Sequence, residues 1–215
     1  SAFSKAYKLS GTNNKEFKDQ EAISDWATEA VNALIGNGYM VGMPDGNFAP
    51  KAHLTRAEMI VVIDRLTSTI IKEAGTYKES IDGNLVVNTK DVILKDMTIS
   101  GNLYLAEGIG TGDITLDNIT VKGTIFVEGG GENSVKLNNV SLAHAMDIEV
   151  IKPVRIVNKG KKISVKLRNH SKVILEGDFS EITVPYNVIL KLNSSLIADK
   201  LITLPNTTQD KNADM

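Results

Sequence analysis

Arg56 is the residue whose position most needs a chemical explanation. It lies in Thr55-Arg56-Ala57-Glu58, where Thr55 can cap the backbone N–H of Glu58 and the Glu58 carboxylate can reach back to the N–H of Thr55. That reciprocal pair is a capping box and starts a helix. A guanidinium in the first helical turn meets the positive end of the macrodipole, at a cost of roughly 0.3–1 kcal/mol. Either a buried carboxylate partner or an anionic ligand should hold it there, since Arg pairs with carboxylates and phosphates through parallel N–H bonds.

Other side chains offer weaker chemistry. Asp91, Asp113 and Asp117, with Arg168, are the nearest approach to a calcium-holding carboxylate cluster and a base for eliminative cleavage of an acidic polysaccharide. The three carboxylates are not expected to stack in register, and Arg168 is far along the chain, so no complete catalytic site is expected. Tyr104 and Phe126, 22 residues apart, should stack on one outward face, as a platform for a sugar ring or as packing against a flanking segment. His53, His144 and His170 are scattered, and Asp45 lacks the ligand series of a calcium loop, so no metal site or other cofactor is expected.

Composition bounds the rest. The 215 residues allow one large domain or two small ones, and 42% hydrophobic with 23% charged residues suits a folded chain with a sizeable core. The net charge is −2, and no basic run is expected to matter, so neither nucleic acid nor an anionic membrane is indicated as a partner. Cysteine is absent, which removes disulfides, thiolate metal sites and Cys nucleophiles. No apolar run reaches the roughly 18 residues of a membrane span. The first residues, Ser1-Ala2-Phe3-Ser4-Lys5, do not read as a signal peptide.

Two kinds of element must position these groups. Residues 1–10 read as the tail of a helix, with Phe3, Tyr7 and Leu9 on one face. A helix capped by Ser24 carries Trp26, Ala30 and Leu34 in one row and Ala27, Val31 and Ile35 in the next, and Gly36-Asn37-Gly38 ends it. In Pro44-Asp45-Gly46, Pro44 fixes φ and Gly46 is free to take positive φ, so a tight turn leads towards the capped helix. That helix is predicted from Thr55 to about Ala74 on the spacing of Met59, Val62, Ile63, Leu66 and Ile70, with Gly75 as its stop. Its end is expected to cover the first turn of the following domain through Ile70 and Ile71.

From about Ile81 the pattern changes to short period-two runs rich in Val, Ile, Leu and Thr. Leu94, Leu116 and Leu137 are 22 and 21 residues apart, and the same offsets relate Met97, Ile119 and Val140, then Ile99, Val121 and Leu142. A period of that length with several strands per repeat predicts a coil of stacked parallel strands. Asp96, Asn118 and Asn139 should form a ladder at one bend, where Asn and Asp tolerate left-handed backbone. Later strands, near 154–157, 163–167, 173–175, 182–184, 188–192 and 201–204, do not hold the period. The end, 206–215, reads as a disordered tail.

Residues 17–74 resemble an S-layer homology module. The likeness is carried by Phe17-Lys18-Asp19, Trp26-Ala27, Gly38 to Gly42, Asp45 to Pro50 and Leu54 to Glu58. It implies non-covalent attachment of a secreted bacterial surface protein, of Gram-positive type, to a secondary cell-wall polysaccharide, which is often pyruvylated. It also implies Arg56 as the residue pairing with the acidic sugar, Trp26 and Asp19 near the groove, Glu58 and Thr55 as helix cap and Gly46 as shaper of the loop. Neighbouring modules complete such grooves, and residues 1–10 resemble the end of a preceding one.

The repeats resemble a right-handed parallel β-helix of the pectin-lyase-like kind. The expected architecture is mainly β with a small α domain. The module tail occupies 1–10, the S-layer homology module 11–76, the β-helix 77–205 and the tail 206–215. The expected function is non-catalytic anchoring and scaffolding at the cell wall. The alternatives are a polysaccharide lyase or a β-helix that itself binds glycan on its Tyr104 and Phe126 face.

Overall fold

The computed structural model describes residues 9, 11–67, 69–131, 135–168, 172–185 and 190–204, the stretch 190–195 for its backbone only. The expected module tail apart from Leu9, His170, and the expected disordered tail 206–215 lie outside the described residues. The chain divides into two compact units, Ser1–Thr67 and Ser68–Met215.

Among its described residues the first unit holds two α-helices. Helix α1, Asp25–Gly36, follows Ser24 in extended conformation and ends as its sequence predicts. The N–H of Gly38 bonds the carbonyl of Ile35 at 2.8 Å and that of Tyr39 the carbonyl of Leu34 at 2.9 Å, a Schellman closure. Helix α2, Arg56–Thr67, buries only Val62 and Leu66, against Leu34 with Leu9, Tyr39 and Met40 alongside. Phe17, Val31 and Ile35 form a second small cluster with Phe48 packed on it.

The predicted helix to Ala74 is therefore too long. Beyond Leu66 the residues are Thr67-Ser68-Thr69-Ile70-Ile71, a run rich in β-branched side chains that suits extended backbone. Strand β1, Thr69–Ile71, pairs in parallel with β3, Leu85–Val87, and Gly75 opens strand β2, Gly75–Tyr77, where a helix stop was expected. Ile71 is buried in the core of the second unit and Ile70 is exposed, so neither belongs to a covering helix.

The second unit is a parallel β-solenoid. The strands are β4 (Val92–Ile99), β5 (Leu103–Leu105), β6 (Ile114–Val121), β7 (Ile125–Val127), β8 (Val135–Asn138), β9 (Ser141–Leu142) and β10 (Met146–Ile148), followed by the long β11 (Val154–Leu167), β12 (Val173–Val184) and β13 (Leu190–Thr203). One face runs β2-β4-β6-β8 and the other β1-β3-β5-β7-β10, and β11 joins both. Among the described residues all pairings are parallel, with Leu94 opposite Leu116 and Leu116 opposite Leu137 as the repeat requires. Their side chains, with those of Leu85, Leu103, Ile125, Val127 and Phe179, fill one continuous apolar core.

The later strands, expected as separate short runs, are joined into β11, β12 and β13. In the earlier passes three residues separate the inward pairs Ile99 and Leu103, Val121 and Ile125, and Leu142 and Met146, making a corner. Only Ser164 separates Ile163 from Val165. With that corner lost the repeat shortens, although the strands remain paired.

Candidate functional site

The capping box is formed in full. Thr55 donates its N–H to Glu58 Oε2 at 2.9 Å and its hydroxyl to the same oxygen at 2.7 Å, while the Glu58 N–H donates to Thr55 Oγ1 at 3.2 Å. The Thr55 N–H, with its hydroxyl adding to it, holds the Glu58 carboxyl below the ordinary range. Between these two residues Arg56 is exposed. Among the described residues it has neither a hydrogen bond nor an acidic partner. The buried-carboxylate explanation thus finds no partner there.

The loop before the helix is built on Asp19. Its carboxylate accepts the N–H of Phe48 at 2.7 Å and that of Ala49 at 2.8 Å, and the first of these is the main cause of its lowered pKa. Ala49 lies at φ +57°, a left-handed conformation uncommon for alanine. The Asp19 bond to its N–H supports the loop there. Gly46, at φ +89°, donates to the Met43 carbonyl at 3.1 Å and closes the Pro44-Asp45 turn. Asp45 accepts the Asn47 N–H at 3.0 Å, which lowers its own pKa. Asp19 and Asp45 therefore both have structural occupations.

Trp26 lies in the first turn of α1 and is 81% exposed, while Ala30 and Leu34 of the same row are buried. It lines an open, mainly apolar groove of about 700 Å³ together with Tyr39, Phe48, Leu54, Ala57 and Val61. The outer face of α2 continues that character, since Met59, Ile60, Val61 and Ile63 are exposed. Met59 and Ile63, whose spacing helps to predict the helix, lie on this exposed face, which that spacing alone does not reveal. The run Met59-Ile60-Val61-Val62-Ile63, apolar all round the helix, was the available signal.

On the solenoid, Tyr104 and Phe126 stack as expected, with centroids 5.0 Å apart and planes at 15°. Each is only 5% exposed, however, so the pair is packed and offers no open sugar platform. Asp91 and Asp113 lie side by side, against the expectation that they do not stack: the Asp91 N–H donates to the Asp113 carbonyl at 2.8 Å. Asp113 pairs with Lys136 at 3.3 Å and Asp117 with Lys95 at 3.2 Å. Arg168 grips Asp147, its Nε at 2.9 and 2.7 Å from the two carboxylate oxygens, and that bond raises its pKa. A guanidinium so held is a poor base.

Two further features escaped the sequence reading. Asn84 accepts the N–H of Asn102 at 2.8 Å, and Asn102 that of Thr124 at 2.9 Å, a second ladder signalled by Gly83-Asn84, Gly101-Asn102 and Gly123-Thr124. Lys159-Gly160-Lys161-Lys162 is a short basic run, against the expectation of none.

Residues 16–60 match the S-layer homology domain. The chain thus carries an S-layer homology domain followed by a parallel β-solenoid. The outer membrane protein SlpA of Thermus thermophilus is 41% identical over 65 residues, 30% of this chain and 7% of that protein. A cellulosome-anchoring protein of Acetivibrio thermocellus is 39% identical over 56 residues, 26% of this chain and 12% of that protein. The cell surface glycoprotein 1 of the same organism is 36% identical over 53 residues, 25% of this chain and 2% of that protein. The chain therefore spans only a small part of the length of these relatives. No solved structure matches it significantly.

Proposed function

We propose that this chain belongs to a non-catalytic bacterial surface protein. Its S-layer homology domain holds an acidic secondary cell-wall polysaccharide, and its solenoid is a scaffold or display domain. The observation that carries this reading is Arg56, an exposed guanidinium at the unfavourable end of a helix with no acidic partner among the described residues. A carboxylate on the glycan, such as a pyruvate ketal, supplies the missing charge with two-bond geometry. Exposed Trp26 supplies an apolar ring face, and the apolar surface of α2 supports neighbouring modules as partners. The names of the relatives agree with a surface location. They do not select a Gram-positive envelope, since one is called an outer membrane protein.

Polysaccharide lyase activity has less support. Asp113 and Asp117 are each paired with a lysine, and Arg168 is committed to Asp147. The test is co-sedimentation of the chain with purified cell walls. Arg56→Ala should weaken retention about tenfold or more, the scale of a lost charge-assisted pair. Equal retention of wild type and variant would sink the assignment, as would growth of unsaturated-sugar absorbance with acidic polysaccharide and calcium.

A further inference from the structure

We propose that a notch in the side of the solenoid binds a saccharide unit bearing a carboxylate. The site is separate from Arg56 and does not rest on the anchoring role proposed for that residue.

The notch follows from the lost corner. Residues 143–145 form the corner between β9 and β10, but the next pass runs from Ile163 to Val165 with only Ser164 in the corresponding place. The open space, about 320 Å³, is lined by Ser141, His144, Lys161, Lys162, Ser164 and Ser180 among others. It falls at the lower end of the range for small-molecule sites, roughly 300–1,000 Å³. That volume is room for a sugar ring and more than a bare oxyanion needs. Its named polar groups are three serine hydroxyls, an imidazole and two lysine ammoniums, which suit a polyol with a negative charge.

The lysine run within β11 is held in place before any ligand arrives. Asn158 is buried, and its side-chain amide donates to the carbonyls of Lys161, at 3.0 Å, and Asp178. Gly160 takes φ +114°, and a Cβ there would stand 3.0 Å from the Asn139 backbone nitrogen, so this tight approach favours glycine. Lys161 Nζ donates to Ser141 Oγ at 2.7 Å across the notch. Lys162 is paired with Asp199, whereas Lys161 has no carboxylate partner among the described residues. One ammonium is therefore aimed into a hydroxyl-lined space with its charge unmatched. The Ser164 and Ser180 hydroxyls, 2.9 Å apart, bond each other and can turn towards sugar hydroxyls.

The test uses the whole chain and amide NMR signals of Ser141, His144 and Lys161, titrated with glucuronate, glucose and inorganic phosphate. Glucuronate should shift these signals saturably. Glucose should do so at least tenfold more weakly, and added salt should weaken the glucuronate response. Lys161→Gln should lower the glucuronate affinity about tenfold while leaving the rest of the spectrum intact. Arg56→Ala should leave it unchanged, which separates this site from the anchoring site. Phosphate binding as tight as glucuronate would show a simple oxyanion site and overturn the saccharide assignment. No saturable shift with glucuronate, or equal affinity in Lys161→Gln, would overturn the proposal outright.

Discussion

Asp19 shows how one carboxylate sets the loop leading to Arg56. Its two oxygens each hold one N–H, of Phe48 and of Ala49, and its pKa is lowered chiefly by the first of these bonds. A folded-state pKa below the unfolded value means stability that is present above the unfolded value and lost as pH falls through the folded one. Asp45 and Glu58 shift in the same direction, so the domain should weaken on acidification below about pH 4 and not near neutrality. The Phe48 and Ala49 amide signals should titrate with a midpoint below about 3.9, the ordinary aspartate value. Asp19→Asn should abolish that titration. A midpoint at or above the ordinary value in the wild type would remove Asp19 from this role. The sequence exposed this residue only through likeness to a family, because its partners lie 29 and 30 positions away and are backbone groups. By contrast, the Thr55 and Glu58 pair could be read directly, since a capping box is a contact three residues long.

At the scale of elements, bends were more legible than ends. Asp96, Asn118 and Asn139 stand at φ +52°, +56° and +54°, and Asn118 donates to Asp96 at 2.8 Å while Asn139 donates to Asn118 at 3.0 Å. Both the left-handed backbone and the ladder followed from residue type and a repeated offset. Two substitutions separate these contributions. Asn118→Gly keeps the backbone freedom and loses the ladder, at a net cost of about 0.5–1.5 kcal/mol per hydrogen bond. Asn118→Ala loses both and should cost about 1 kcal/mol more than the glycine variant. Urea melts giving equal midpoints for the two variants would show that the bend stores no left-handed cost.

The end of α2 was illegible for a related reason. Apolar residues at Leu66, Ile70 and Ile71 satisfy helical spacing and strand burial alike, and the choice was made by pairing with Leu85–Val87, which no local pattern announces. Tyr104 and Phe126 show the same limit in another form. Their register was evident from a spacing of 22, but their burial depends on what covers the sheet.

Taken whole, the solenoid is a stack in which each pass touches its neighbours, so the effect of a substitution should depend on its place along the stack. Leu116 is fully buried between Leu94 and Leu137. Leu116→Ala removes packing against both adjoining passes and should cost about 2–5 kcal/mol. Leu201 lies opposite Ile182 on β13, where it is 54% exposed. Leu201→Ala should therefore change stability by no more than about 0.5 kcal/mol, the range of an exposed substitution. The same leucine-to-alanine change is made at both sites, so the contrast isolates position in the stack from side-chain chemistry. Equilibrium urea unfolding, followed by far-ultraviolet circular dichroism, compares them directly. Similar midpoints for the two variants would mean that β13 is covered as fully as the middle passes, and the nearest-neighbour account of the coil would fail at that end.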